Sequence, residues 1–179
     1  TLSLTDMTVA TIGTSSNDYL YVPTSGASPN DLIDGREGDD HLYGAAGDDT
    51  YIFSAGNDLI DEGNKGGDDT IHVRDSFTPA DISIYFNSSQ NLVLTDTDGN
   101  SITVYKQGIS ALYDIEHVVF ADSTTWNLAS MEIETHGTSG ADNLYGSDYG
   151  DASSADTMFG FDGNDYLYGG NGNDTLYGG

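Results

Sequence analysis

An aspartate followed two residues later by a large apolar side chain recurs every nine residues through much of this 179-residue chain. The last phrase, "GGNGNDTLY" at 169–177, sets a numbering in which Asp174 is position 6 and Leu176 is position 8. In that register position 6 is Asp18, Asp31, Asp40, Asp49, Asp58 and Asp69 in an early block, and Asp142, Asp156, Asp165 and Asp174 in a late one. Position 8 is apolar in every phrase: Leu20, Ile33, Leu42, Tyr51, Ile60 and Ile71, then Leu144, Met158, Leu167 and Leu176. Glycine dominates positions 1 and 4, as at Gly35, Gly38, Gly44, Gly47, Gly56, Gly160, Gly163, Gly169 and Gly172. One apolar residue per nine, set among Thr, Tyr and Ile, suits a very short strand with a single inward side chain. The glycines suit a turn that needs positive φ or close packing. Each phrase therefore reads as a six-residue turn and a three-residue strand, and two phrases as one coil of 18 residues.

Such coils carry an electrostatic difficulty. Stacking at the interstrand spacing of about 4.8 Å puts position-6 carboxylates of successive coils on the same edge. Two unit charges at that distance repel by about 1 kcal/mol in water and roughly 3–4 kcal/mol at an effective dielectric of 20. The chain has 30 acidic and only four Lys and Arg residues, for a formal net charge of −26, so it holds too few cations to neutralise the ladder. With 12 tyrosines and 36% hydrophobic residues it also does not read as a disordered acidic tail. Divalent cations between rungs would turn the repulsion into attraction, and carboxylates with backbone carbonyls are the hard oxygen donors that suit Ca²⁺.

The phrase resembles the nonapeptide of the RTX (repeats-in-toxin) family, G-G-x-G-x-D-x-U-x with U large and apolar, and 169–177 matches it at every defined position. The resemblance implies an all-β fold, a right-handed parallel β-roll with Ca²⁺ held between successive same-side turns. Residues 18 apart would then share an ion: Asp31 with Asp49, Asp40 with Asp58, Asp156 with Asp174. Carbonyls of the turns 35–38, 44–47 and 169–172 would complete the shells. Pairing same-side turns gives about four ions in the first block and about two in the second. The chain departs from the pattern at position 2, which is glycine only at Gly170, and at position 4, which is Ser16, Pro29 and Ser154 in three phrases expected to bind weakly. Asp18 and Asp142, each beside an insertion, are the least secure ligands, and Asp148 or Asp151 could add sites at the second insertion.

The organisation is modular. Residues 1–12 read as a lead-in strand or linker, 13–72 as the first roll block, 73–135 as an intervening module and 136–179 as a second, truncated block. "GTSSNDYLY" (13–21) returns as "GTSGADNLY" (137–145), and both copies then carry extra residues at the same place, 22–25 and 146–150. The chain is thus expected to be one module and the front of another, cut from a longer tandem array. Within 73–135, "DISIYF" (81–86), "NLVLTD" (91–96) and "TDGNSITVY" (97–105) alternate apolar and polar residues and turn at Asp98-Gly99. "IEHVVFADSTTWNL" (115–128) reads as two strands about a turn, and "LASM" as a helical turn. This stretch resembles the module that follows nonapeptides in haemolysin-like proteins, which ends in F-A-D-G-T-x-W. Here it is "FADSTTW", with Ser123 at the usual glycine. The expectation is a small antiparallel module that caps the edge of the first roll.

Several functions are disfavoured. The acidic balance opposes binding to nucleic acid or anionic membranes, and no apolar run approaches the roughly 18 residues of a membrane span. Residues 1–12 carry no secretory leader pattern, and the absence of cysteine removes disulfides and thiolate sites. "DTDGN" (96–100) departs from an EF-hand at Ser101 and Gln107. His41, His72, His117 and His136 lack metal-protease spacing, and Ser123, Asp122 and His117 lack a nucleophile motif, so no enzyme activity is expected. Tyr21, Tyr43, Tyr145, Tyr168 and Tyr177 form an outward column at position 9. It reads first as cross-strand aromatic pairing, and alternatively as a platform for carbohydrate or a neighbouring module. The resemblance implies export by a type I system of a Gram-negative bacterium and folding in the calcium-rich exterior. An adhesin, or an accessory module of a secreted lipase, protease or polysaccharide-modifying enzyme, is the alternative.

Overall fold

The computed structural model describes residues 10–22, 30–63, 66–74, 77–107, 114–146 and 155–179. The lead-in residues 1–9, Pro29, Asp148, Asp151 and Ser154 lie outside the described residues. The chain divides into two compact units, one of Thr1–Ser83 with Leu94–Ser130 and one of Ile84–Val93 with Met131–Gly179.

In the first unit the strands are as short as the period demands. β1 (Ala10–Ile12), β3 (Leu32–Asp34), β5 (Thr50–Phe53) and β7 (Thr70–Val73) pair in parallel as one sheet. β2 (Tyr19–Tyr21), β4 (His41–Tyr43) and β6 (Asn57–Ile60) pair in parallel as the other. Successive strands alternate between the sheets, so the chain winds as the parallel β-roll that the nine-residue period predicts. Leu32 pairs with Thr50 and His41 with Leu59, both 18 residues on, whereas Tyr19 pairs with His41 and Thr50 with Thr70 across longer coils. Extra residues are accommodated in the turns without slipping the strand register, because a one-residue slip would send every position-8 side chain to the outer face.

The core is a thin internal strip. Ile33, Leu42, Tyr51, Ile60 and Ile71, the position-8 residues of five consecutive phrases, are fully buried. Burial of each contributes about 1.5–3 kcal/mol. Most residues on either side of position 8 are half-buried or exposed, although Asp34 and Ile52 are buried, and Tyr19 and Tyr21 are largely exposed. The Tyr21 and Tyr43 rings lie 5.4 Å apart and tilted by 46°, a cross-strand aromatic pair.

The intervening residues continue the roll before they cap it. β10 (Ser101–Val104) pairs in parallel with β6, and β11 (His117–Val119) in parallel with β7, each extending its sheet by one strand. Ile102, Val104, Val118 and Phe120 prolong the buried strip. The expectation of an antiparallel module is met by β12 (Thr125–Asn127), which pairs antiparallel with β11, and by the hairpin turn between β9 (Leu92–Asp96) and β10, where the Asp96 N–H donates to the Asn100 carbonyl. "LASM" supplies a single 3-10 turn, Leu128–Ser130. The β11–β12 turn closes with the Ser123 N–H donating to the Phe120 carbonyl, and Phe120 meets Trp126 edge-on at 4.7 Å. Ser123 keeps the left-handed backbone of the glycine it replaces, at φ 69°.

In the second unit β13 (Thr135–His136), β15 (Thr157–Phe159) and β17 (Thr175–Tyr177) pair in parallel, as do β14 (Asn143–Tyr145) and β16 (Tyr166–Tyr168). Thr135 of β13 also pairs with Phe86 of β8 (Ile82–Phe86). Leu144 and Met158 are buried, while Leu176 is 45% exposed. Phe159 stacks on Tyr177 at 4.7 Å and 8°, so these rings spend their faces on one another.

An L-residue in the left-handed region costs roughly 1–2 kcal/mol, of which glycine's extra unfolded-state entropy returns about half. Ser123→Gly is therefore expected to raise the melting temperature in saturating calcium by roughly 1–2 °C, and Ser123→Val to lower it by more than that. Calorimetric scans of the two variants check the sign of each shift.

Candidate metal sites

Two side-chain ladders run along the first roll in opposite directions. On one edge the Asp18 N–H donates to Asp40 Oδ1 at 2.8 Å, and the Asp40 N–H to Asp58 Oδ1 at 3.1 Å. On the other the Asp31 N–H donates to Asp49 Oδ1 and the Asp49 N–H to Asp69 Oδ1, both at 2.8 Å. Position 6 thus hands a carboxylate oxygen to the coil before it. Position 5 does the reverse: Asp39 donates its N–H to Asn17 Oδ1, Asn57 to Asp39, Asp48 to Asn30, and Asp68 to Asp48, at 2.8–3.1 Å. Each coil boundary is therefore pinned by two side-chain-to-backbone bonds, and the turn N–H groups that sheet pairing leaves over are satisfied. The second block repeats the position-6 ladder, with Asp142 N–H on Asp165 at 3.0 Å and Asp156 N–H on Asp174 at 3.2 Å, while its position 5 is alanine at Ala141 and Ala155. The pairs expected 18 residues apart are brought together. Pairs 20, 22 and 23 apart are brought together as well, because the strands of these longer coils keep the same register.

The ladder uses one oxygen of each carboxylate. The other, Oδ2, turns toward the start of its own phrase. A Cβ built on Gly35 would collide with Asp40 Oδ2, one on Gly44 with Asp49 Oδ2, and one on Gly169 with Asp174 Oδ2. At Gly137 the same space also faces the Gly160 carbonyl oxygen at 2.7 Å, with Asp142 Oδ2 at 3.0 Å. Position 1 is glycine because a carboxylate and a carbonyl from the next coil converge over its Cα. Position 4 is glycine for a different reason. Gly38, Gly47, Gly56, Gly163 and Gly172 all have φ between 114° and 138°, and a Cβ on Gly56 would strike the Gly38 carbonyl.

The second oxygens fall into two groups. Oδ2 of Asp40, Asp49, Asp69 and Asp165 is buried with no hydrogen-bond partner among the described residues. Oδ2 of Asp18 instead accepts the Thr14 N–H at 2.6 Å and hydroxyl at 2.8 Å, and Asp142 is held the same way by Thr138. Asp58 Oδ2 accepts the Ser54 hydroxyl at 3.1 Å. Where position 2 carries a hydroxyl, as at Thr14, Ser54 and Thr138, the carboxylate is capped, and where it is Arg36, Ala45 or Phe161 the carboxylate is open. A buried carboxylate oxygen with no donor is costly unless a cation meets it. The Arg74 guanidinium is spent on Asp34, outside this set. The donor set of carboxylate and carbonyl oxygens fits Ca²⁺, which bound there would replace repulsion between rungs with shared coordination.

Three contributors are not in the sequence-derived set. Glu116 accepts the Asp69 N–H at 2.7 Å, so the intervening segment supplies the next rung after Asp69. Its signal is visible in the sequence, an acid two residues before the buried Val118, with glutamate in place of aspartate. Gly146 faces Asp156 Oδ2 at 2.6 Å together with the Gly169 carbonyl, and so holds the position-1 place that the register assigned to residue 151. The extra residues therefore follow the position-1 glycine. Glu62, which nothing in the nonapeptide predicts, is 1% exposed beside Asp49 and Asp69.

Burial lifts these acids above their ordinary range. It raises Asp49 to about 6 against the Asp31 N–H that lowers it, and Asp58 and Asp69 to about 7. Burial with the neighbouring Asp69 charge raises Glu62 to about 9. The calcium-free folded chain thus holds protons that the unfolded chain, titrating near 4, has released. Stability from these groups is fully present below about pH 4 and is lost as pH rises through 6 to 9. Calcium-stripped protein is expected to gain β-sheet circular dichroism as pH falls from 8 to 5, and a signal indifferent to pH would contradict these environments. A second expectation separates sterics from charge. Gly35→Ala removes no charge but drives a methyl onto the Asp40 carboxylate, so it should raise the calcium midpoint of folding as Asp40→Ala does. Gly178→Ala, where a Cβ meets nothing within 4 Å, should leave the midpoint unchanged.

A model of the RTX calcium-binding nonapeptide repeat, in four copies, matches residues 25–60 and 152–179. A model of the haemolysin-type calcium binding protein related domain matches residues 91–130. No curated protein matches the chain. Among solved structures the chain is similar to the crystal structure of extracellular lipase LipA from Serratia marcescens, at 20% identity and a TM-score of 0.43, over 96% of this chain and 28% of that one. The chain thus spans little more than a quarter of that protein's length. No helix among the described residues is long and apolar enough to cross a membrane. The chain carries the RTX calcium-binding nonapeptide repeat in both of its blocks, with a haemolysin-type calcium binding protein related domain between them.

Proposed function

We propose that this chain is a calcium-driven folding module of a secreted bacterial protein, unfolded where Ca²⁺ is scarce and rolled up where it is plentiful. The observation that carries this reading is the set of buried Oδ2 atoms of Asp40, Asp49, Asp69 and Asp165, each without a donor among the described residues. A roll with a net charge of −26 and this column at its edges opposes its own stacking until divalent cations bind. Binding free energy then becomes folding free energy. Such a chain suits passage across a cell envelope in the unfolded state, as in type I export, followed by folding outside. Its role in the parent protein is stabilising and non-catalytic, set by neighbouring modules of that chain.

Circular dichroism at neutral pH and physiological salt tests it. Calcium-stripped protein is expected to be largely unfolded and to become β-rich with Ca²⁺ but poorly with Mg²⁺, which demands octahedral geometry and dehydrates reluctantly. A complete β signal without calcium would overturn the reading. Single substitutions test the role of the open oxygens. Asp49→Ala removes a rung bonded on both sides with an open oxygen, whereas Asp18→Ala removes an end rung already capped by Thr14. Both remove one charge, so general relief of repulsion cancels, and Asp49→Ala should raise the calcium midpoint clearly more.

A further inference from the structure

The coil between Asp49 and Asp69 is two residues longer than the repeat, and it carries Glu62 directly after position 9, where the next phrase would place its first glycine. The carboxylate of Glu62 does not leave the roll. It is 1% exposed, and one oxygen from each of Asp49, Glu62 and Asp69 lies within 4.8 Å of the others. All three side chains are similarly divided. Asp49 Oδ1 accepts the Asp31 N–H and Asp69 Oδ1 accepts the Asp49 N–H. Glu62 Oε1 accepts the hydroxyl of Tyr51, and that hydroxyl in turn accepts the Gly44 N–H at 2.8 Å. Asp49 Oδ2, Glu62 Oε2 and Asp69 Oδ2 remain, all buried and without a partner among the described residues.

Tyr51 explains how the glutamate is held. It occupies position 8, is fully buried, and extends across the core so that its hydroxyl reaches the turn of its own phrase. The other position-8 residues are Leu, Ile or Met and carry no such polar tip. A buried tyrosine hydroxyl needs a partner, and here the partner is a carboxylate that has a second oxygen to offer. The lengthened coil, the tyrosine and the glutamate thus form one arrangement found at this coil among the described residues.

We propose that Asp49, Glu62 and Asp69 form a three-carboxylate cation site, with Tyr51 positioning Glu62, that binds Ca²⁺ more tightly than the two-carboxylate rungs of the same block. The proposal rests on the calcium-driven reading above and assigns one residue outside the nonapeptide to it. Affinity at oxygen sites rises with the number of charged ligands and with their rigidity, and both are greater here. A site of three carboxylates also favours a trivalent lanthanide over calcium, because the charge balance is then complete.

The test is a calcium and terbium titration of the whole chain by calorimetry and by folding midpoint, with wild type, Glu62→Gln, Tyr51→Phe and Asp58→Asn compared. Glu62→Gln keeps size and the acceptor for Tyr51 but removes the charge. It is expected to weaken the tightest calcium step by more than about tenfold, and the terbium step by more, while Asp58→Asn leaves that step in place. Tyr51→Phe should weaken the same step by a smaller factor. The opposite role predicts the opposite sign: if Glu62 is only a buried acid, its neutralisation relieves repulsion and lowers the calcium needed to fold. A midpoint unchanged or lowered in Glu62→Gln overturns the proposal. If that variant does not fold at saturating calcium, Tyr51→Phe decides, and an unweakened tight step there overturns it. Wild type that folds without calcium would overturn the calcium-driven reading itself, a result distinct from either.

Discussion

Everything in this fold follows from placing like charges in register at the spacing of β-strands. A coil of 18 residues is too thin to bury a large core, so its stability depends on what happens at its edges. There the carboxylate of position 6 serves two purposes at once. One oxygen ties the backbone of the preceding coil, and the other, at Asp40, Asp49, Asp69 and Asp165, is buried with no donor among the described residues. The first use builds the roll, and the second leaves buried oxygens that a cation would satisfy.

The glycines follow from the same constraint. Position 1 is empty of side chain because the carboxylate lies over it, as Gly35 and Asp40 show. Position 4 is empty because coils approach there backbone to backbone, as Gly38 and Gly56 show. Position 2 also sits in the left-handed region in several phrases, three of which hold Arg36, Ala45 and Phe161 there, at φ 64–76°. These residues store strain that a glycine would release. The tolerance is physical: at position 2 the cost is conformational, while at positions 1 and 4 it is a collision.

Much of this was legible in the sequence, and the rest was hidden for identifiable reasons. Asp31, Asp40, Asp49 and Asp69 declare themselves by period, and Ile33, Leu42 and Ile71 declare the core in the same way. The position-5 ladder was equally visible in Asn17, Asn30, Asp39, Asp48, Asn57 and Asp68, but polar turn residues read as solvated until their bonds to the next coil are seen. Glu116 was masked by its identity, since one extra methylene breaks an aspartate column without breaking its geometry. Glu62 had no period to announce it. Its importance arises from Tyr51, which reads as an ordinary core residue until the destination of its hydroxyl is known. The capping of Asp18, Asp58 and Asp142 was also out of reach, because a hydroxyl at position 2 becomes meaningful only when the carboxylate it faces is placed.

The intervening segment matters for how far the order can spread. Each coil touches only its neighbours, so a roll behaves as a one-dimensional stack whose ends fray and whose unpaired edges invite other strands. β10 and β11 continue both sheets past the last nonapeptide, and Glu116 and Asn100 continue the bonds at its turns, with the Gly56 N–H donating to Asn100 Oδ1 at 3.0 Å. Only then does β12 turn back antiparallel along the edge of the sheet. The stack therefore terminates on a segment that no longer repeats the nonapeptide but still receives its last rung. Asp69 has a hydrogen-bonded coil on each side, which an aspartate at a bare end would lack. The last rung is in this way joined through Glu116 to the strand that carries Val118 and, across its turn, to Phe120 and Trp126. The segment that matches the haemolysin-type model is in this sense a continuation of the first roll and its closure.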